Sequence, residues 1–354
     1  MKIVVASDSY KGSLSSLSVA EAVSTGVLSV CPSAQVTTVA VADGGEGTLE
    51  AVINATNGDF ITLEVSDPLN RPILAKYGII RSESRAAAVV EVAQAVGLTL
   101  MKPEERNPLL ASSKGVGELI MDAWSRGCRE FIICLGGSGT NDGGRGMMEV
   151  PGIREVAREG HFTVMCDVKN PFIGPDGATM VFGPQKGATP EMLPVLEARL
   201  TDLASIIESE TGKDIRKLPG AGAAGGLGGA FAAWFSAELK SGIDVLLDTI
   251  GFDAIIDGAD LVITGEGCAD SQTASGKAAL GVLRRAQRHG IPTALLAGKV
   301  IDAPKLESLG FQHVIAVSDP AAPLSEQMDP LVASSRLKAK TEALIFKLFN
   351  RDVY

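Results

Sequence analysis

Five times along this sequence an apolar run of strand length leads into a cluster of glycines that also carries charged or hydroxyl side chains, and a sixth cluster holds glycine and alanine alone. The clusters lie at Ser7–Ser13, Ala42–Thr48, Gly136–Gly144, Gly183–Thr189, Gly220–Gly226 and Thr264–Asp270. One Asp-Gly or Gly-Gly after a strand is an ordinary turn. Five are more restrictive, because a parallel sheet gathers the carboxyl ends of its strands on one edge, where the ligand crevice of doubly wound folds lies. Glycine there lets backbone approach a ligand closely. The stretch after Pro219 also reads as close helix packing, and both readings stay open.

The segments between the clusters support an α/β chain. Lys2–Ala6 reads as a strand, Ser15–Val30 as a helix with Leu17, Ala20, Val23 and Val27 on one face, Val36–Val41 as a strand and Glu46–Ala55 as a helix. The runs Phe60–Val65, Ile73–Ile80 and Ala87–Val92, with a turn at Asp67-Pro68-Leu69-Asn70, read as a meander. Ser113–Ser125 is expected to be helical, Glu130–Leu135 a strand, and Gly143–Glu149 the start of a helix. A strand at Thr163–Asp167 and a helix at Glu191–Thr211 follow, and the remainder alternates again from Leu261 to Phe349. At 354 residues the chain accommodates two domains. The changes of texture predict an interleaved pair, 1–57 with 108–150 and 244–354, against 58–107 with 151–243. A ligand site is expected in the cleft between them.

Residue types narrow the chemistry. The net charge of −10 comes without a basic stripe, which argues against a nucleic-acid surface. No apolar stretch is long enough to span a bilayer. Five scattered cysteines with no C-x-x-C pair read as reduced thiols, and the start of the chain shows no signal-peptide pattern, so the cytoplasm is the expected compartment. The three histidines stand outside the glycine loops and apart from one another, which disfavours a histidine-based triad or a zinc site. Asp and Glu dominate the loops, as suits Mg²⁺ ligation and proton abstraction from a hydroxyl. Lys11, Lys186 and Lys277 stand beside glycines, where an ammonium and backbone N–H groups hold phosphate. The stretch 267–277 is not a P-loop, since Ser271 takes the place of the first glycine and Ala278 that of the hydroxyl residue.

Taken together the loops resemble bacterial type-1 glycerate kinase over nearly the whole chain. The resemblance is carried by Asp8-Ser9-Tyr10-Lys11-Gly12-Ser13, Val41-Ala42-Asp43-Gly44-Gly45-Glu46-Gly47-Thr48 and Gly136-Gly137-Ser138-Gly139-Thr140-Asn141-Asp142-Gly143-Gly144. It continues in Cys166-Asp167-Val168-Lys169-Asn170-Pro171, in Gly183-Pro184-Gln185-Lys186-Gly187-Ala188-Thr189 and in Pro219 to Gly226. It ends in Thr264-Gly265-Glu266-Gly267 with Asp270, Gln272, Thr273 and Gly276-Lys277. The resemblance implies a flavodoxin-like parallel-sheet domain interleaved with a second, smaller α/β domain, with the site in the cleft between them. It implies transfer of the ATP γ-phosphoryl group to D-glycerate with Mg²⁺, usually giving the 2-phosphate, though some members are described as forming the 3-phosphate. A non-catalytic hydroxy-acid sensor or an inactive kinase homologue is the alternative, and a homodimer is allowed.

Phosphoryl transfer is mostly positioning and charge neutralisation. Asp8 or Asp43 is expected to take the hydroxyl proton, and Asp270, with Glu266, to hold the metal. Lys11 and Lys277 would serve the transferring phosphate. Ser138, Thr140 and Asn141 would hydrogen-bond phosphate or substrate, and Ser9, Ser13, Glu46, Gly137, Asp142, Asp167, Lys186 and Gln272 complete the expected binding set. Arg71 is a candidate clamp for the substrate carboxylate, since a guanidinium meets it bidentately. For Asp43 and Asp142 the competing reading is turn or helix-cap duty. Two departures from the family pattern stand out: a shortened stretch from Glu149 to Gly160, and Cys268 where arginine is common after Gly-Glu-Gly.

Overall fold

A computed structural model describes residues 1–81, 86–270 and 278–349. The chain divides into two compact units, Met1–Asp43 with Ile243–Tyr354, and Gly44–Gly242. The first holds a five-stranded sheet of β1 (Lys2–Ser7), β2 (Gln35–Ala40), β9 (Leu261–Ala269), β10 (Thr293–Val300) and β11 (His313–Ala316). All pairings are parallel, in the order β11-β10-β9-β1-β2. Counted within this sheet alone the order is 2-1-3-4-5, that of flavodoxin-like folds.

Local sequence explains these elements. Residues 3–7 of β1 are all buried, as expected of a central parallel strand covered on both faces. Helix Ser16–Val30 starts at Ser15, whose side chain accepts the Ser18 N–H at 3.1 Å. Its buried face is Val19, Ala20, Ala22, Val23, Gly26 and Val27, whereas Leu17 is 70% exposed. The apolar stripe thus begins at Val19 and not at Leu17. At Gly26 this helix presses on helix Pro330–Phe349; a Cβ there would stand 2.7 Å from the Lys338 carbonyl oxygen.

The second unit carries a six-stranded mixed sheet of β3 (Asp59–Ser66), β4 (Pro72–Arg81), β5 (Ala86–Glu91), β6 (Glu130–Cys134), β7 (His161–Met165) and β8 (Glu238–Lys240), in that spatial order. β3, β4 and β5 run antiparallel, and β5 through β8 parallel. The β3–β4 turn is fixed by Asp67, whose Oδ1 accepts the N–H groups of Leu69 and Arg71 at 2.8 Å each, with Asn70 at φ +60°. The core stacks Phe131 on Phe162 at 4.5 Å and sets Phe235 edge-on to Phe162 at 4.7 Å.

The boundaries differ from the sequence reading. Residues 44–57 and 108–150 belong with the second unit, because helix Thr48–Thr56 packs on β4 and β5 and β6 hydrogen-bonds between β5 and β7. The second unit is therefore one continuous segment, and the longer of the two. The stretch 149–160 holds helix Ile153–Glu159, which carries the chain from β6 over to its parallel neighbour β7.

Candidate active site

In the first sheet β1 and β9 are neighbours, with β2 continuing on one side and β10 and β11 on the other. Connections diverge there, which makes the carboxyl ends of β1 and β9 the topological switch point where α/β sheets bind ligands. A cavity of about 360 Å³ opens at that place. It is lined by Asp8, Ser9, Lys11 and Ser13 from the loop after β1, Asp43 beyond β2, and Glu266 and Cys268 of β9. Lys299 of β10 joins them.

Backbone and buried polar contacts hold this edge. The Asp8 N–H donates to the Gly265 carbonyl at 3.0 Å, tying the first loop to β9. The buried Tyr10 hydroxyl donates to the Leu296 carbonyl at 2.8 Å, tying it to β10. Gly265 must be glycine, since a Cβ there would collide with the Leu296 carbonyl and approach the Tyr10 hydroxyl to 3.2 Å. Asp8 Oδ1 accepts the Ser9 N–H at 2.6 Å and the Ser9 hydroxyl at 3.3 Å, which fixes the carboxylate's orientation. Burial pushes the Asp8 carboxyl above its ordinary pKa and the Ser9 N–H pulls it partly back. The nearby Asp43 carboxylate raises it further, against the Lys11 ammonium. Asp8, Ser9, Lys11, Ser13, Asp43 and Glu266 are thus brought to one place.

Glu266 is 6% exposed, and with burial its charge raises the Tyr10 phenol well above its usual value. Asp270 closes the segment after β9 and is not among the residues lining the cavity. Among the described residues no three His, Cys, Asp or Glu side chains converge as a metal cage. Gln272 and Lys277 lie outside the described residues.

The second unit gathers another group after β6. Ser138, Thr140, Asn141 and Lys186 are all buried. Lys186 Nζ donates to the Ser138 hydroxyl at 3.0 Å and to the Thr140 carbonyl at 2.7 Å. Burial pushes this ammonium down to a pKa of about 7, against the upward pull of Asp142. Asn141 Nδ2 donates to the Thr179 hydroxyl at 2.9 Å. Thr140 Oγ1 and Asn141 Oδ1 are buried with no hydrogen-bond partner among the described residues. Gly137 is exposed at φ +76°.

Other expected binders are engaged structurally. Asp142 accepts the Ser113 N–H and hydroxyl at 2.7 and 2.8 Å, and the Gly144 and Gly146 N–H groups at 3.1 Å each, which is cap duty. Asp167 accepts the Gly242 N–H at 3.1 Å. The Arg71 guanidinium donates from Nε to Asp67 at 2.6 Å, from Nη1 to Glu105 at 2.8 Å and from Nη2 to the Leu100 carbonyl at 3.3 Å, so each of its nitrogens is already engaged. Glu46 is exposed. A second cavity, of about 410 Å³, lies beside Asn141 and Asp142 over Leu196, Leu200 and Leu203, with Arg145 and Arg199 in its lining.

Sequence reasoning missed one side of the first cavity: Lys299, Val317, Ser318, Leu324, Gln327, Met328 and Ala333. Gly298-Lys299 in β10 repeats the glycine-with-lysine signal of the other loops; residues 317–333 carry no such signal.

Fold and site together define an α/β enzyme with a carboxylate- and lysine-lined pocket at a flavodoxin-type switch point. The model of the glycerate kinase family matches residues 3–161 and 149–349. The two matches overlap across the shortened stretch. Glycerate kinase of Bacillus subtilis (strain 168) is 40% identical over 377 aligned positions, covering 98% of each chain. Glycerate 2-kinase of Escherichia coli (strain K12) is 38% identical, over 97% of this chain and 98% of the relative. A crystal structure of a glycerate kinase 2 of Salmonella typhimurium LT2 superposes with a TM-score of 0.86 at 38% identity, covering 98% of each chain. The chain belongs to the glycerate kinase family and is a phosphotransferase. Among the described residues no helix is long and apolar enough to cross a membrane.

Proposed function

We propose that this enzyme transfers the γ-phosphoryl group of ATP to D-glycerate and forms 2-phosphoglycerate. The observation that carries the reading is the meeting of Asp8, Asp43 and Lys11 in one cavity at the switch point. In the reaction the substrate hydroxyl oxygen attacks the γ-phosphorus, the bond to the β–γ bridging oxygen breaks, and ADP leaves. The hydroxyl proton passes to Asp8 or Asp43. The raised Asp8 pKa favours Asp8, because a carboxylate that binds its proton more tightly is a stronger base. Lys11 is assigned to the charge on the transferring phosphoryl group. Ser138, Thr140, Asn141 and Lys186 are assigned to substrate or phosphate contacts; Thr140 Oγ1 and Asn141 Oδ1 have no hydrogen-bond partner among the described residues.

Glu266, in the cavity lining, offers the hard carboxylate oxygen that suits Mg²⁺, an ion usually held by one or two carboxylates plus substrate phosphates, while Asp270, outside that lining, is assigned to the metal on the resemblance alone. When bound, Mg²⁺ would neutralise charge on the phosphate oxygens. We assign the enzyme to the cytoplasm, in keeping with five free cysteines. The test is a coupled assay with ATP, D-glycerate and enolase. Signal without added mutase supports the 2-phosphate; glycerate-dependent ADP formation with no enolase signal rejects it. If neither Asp8→Asn nor Asp43→Asn lowers kcat, with folding intact, the proton-acceptor assignment is removed.

A further inference from the structure

The switch-point cavity has two unlike sides. Asp8, Lys11, Asp43 and Glu266 stand for charge, whereas Val317, Leu324, Met328 and Ala333 contribute hydrocarbon. Val317 and Ala333 are buried, but Leu324 is 72% and Met328 37% exposed while lining the cavity. Adjoining apolar side chains exposed at the rim of a concave site are suited to contact an apolar ligand face. D-Glycerate has no such surface: each of its three carbons bears oxygen. At about 360 Å³ the cavity is also of the size that takes a whole cofactor-like molecule and not only a three-carbon acid.

Between the two exposed apolar residues stands Gln327. Its Nε2 donates to the Ala322 carbonyl at 2.7 Å, which fixes the amide plane. Its Oε1 accepts no hydrogen bond from the described residues and remains available as an acceptor. We propose that this side of the cavity seats the base of the nucleotide, with Leu324 and Met328 against its face, and that Gln327 selects adenine. An oriented acceptor pairs with the exocyclic amino group of adenine and opposes the carbonyl that guanine carries at the same ring position. The inference rests on the kinase reading for the identity of the phosphate donor, but its test does not need turnover.

Isothermal titration with ADP and GDP, on the full chain and on Leu324→Ser and Gln327→Leu, is the direct measurement. Both residues are solvent-accessible, so neither substitution should disturb folding, and thermal melting checks this. The wild type should bind ADP more tightly than GDP. Leu324→Ser should weaken ADP at least fivefold, and Gln327→Leu should reduce the ADP-over-GDP preference by about tenfold, the worth of one hydrogen bond. In steady state the KM for ATP should rise in both variants while the KM for D-glycerate stays within twofold. Unchanged ADP affinity in Leu324→Ser overturns the base seat, and an unchanged preference in Gln327→Leu overturns the selectivity role. Equal rises in both KM values assign the wall to the acceptor and overturn the proposal as well. Loss of ADP binding in the variants, with no glycerate-dependent turnover by the wild type, sustains the seat while rejecting the kinase reading.

Discussion

Replacing Lys186 with methionine removes a buried ammonium and leaves a side chain of similar length. In an unfolded chain this lysine titrates near 10.5, whereas burial holds it to about 7 in the fold. Between those values the unfolded chain binds the extra proton and the folded one does not. Stability must therefore rise with pH across that window, by up to about 1.4 kcal/mol per pH unit. From pH 7 to pH 10 the expected gain from this one group is on the order of 3 kcal/mol. The variant also loses the bonds to Ser138 and Thr140, worth roughly 1–3 kcal/mol, but that loss is nearly independent of pH. The slope of the difference is thus the diagnostic, and groups common to both proteins cancel from it. Guanidinium unfolding followed by tryptophan fluorescence suits the measurement, because Trp124 and Trp234 both lie in Gly44–Gly242 with Lys186. The wild-type stability should climb relative to Lys186→Met from pH 7 to 10. Parallel curves would refute the reasoning and mean that Lys186 stays charged in its buried site.

Asp8→Asn should lower kcat at least about 100-fold, the usual scale for losing a general base. It should also raise the melting temperature at pH 7. A carboxyl raised in the fold favours the folded state while protonated, below its ordinary 3.8, and loses that advantage as pH rises through the raised value. The gain over wild type should therefore vanish below about pH 4 in a melting series; a lower melting temperature at pH 7 contradicts the burial argument. Gly225→Ala should destabilise the second unit by about 3 kcal/mol or more, since the glycine has φ +67° and a Cβ would run into the Thr140 carbonyl. Unfolding followed by tryptophan fluorescence measures it, and a loss below about 1 kcal/mol would show that the 136–144 loop yields easily. Arg71→Ala should leave the KM for D-glycerate within twofold, because Asp67, Glu105 and the Leu100 carbonyl already engage its three nitrogens; a tenfold rise would restore it as the carboxylate clamp.

Much of the fold is legible because the strands are local events. Five consecutive buried residues in β1 declare a strand whatever surrounds it. Partnership is not local: β6 reads the same in either sheet, and only its pairing to β5 and β7 removes 108–150 from the first unit. The site divides in the same way. Asp8, Lys11, Asp43 and Glu266 are legible because glycine loops at parallel strand ends must share an edge. The ion pair that engages Arg71 is not legible, because nothing in its neighbourhood announces Glu105, which lies 34 positions away. The Leu324–Met328 wall stays hidden for a related reason: it is one short helical turn, Leu324–Gln327 with Met328 as its cap, and only its packing brings it to the cavity.

The placement of Gly44–Gly242 between β2 and β9 also sets an order of events during synthesis. β1 cannot complete its pairing until β9 exists, and the Lys2 N–H that donates to Asp260 waits across 258 positions. At ribosomal speeds that is roughly 10–50 s. For that time β1 and β2 offer an apolar strand pair with an open edge, a template for pairing with other nascent chains. The second unit, continuous and already emerged, can fold in the interval. Yield from an expression host should thus depend on how well the first forty residues are kept apart until the last third of the chain arrives, a demand that chaperone supply or slower growth would meet and a stabilised second unit would not.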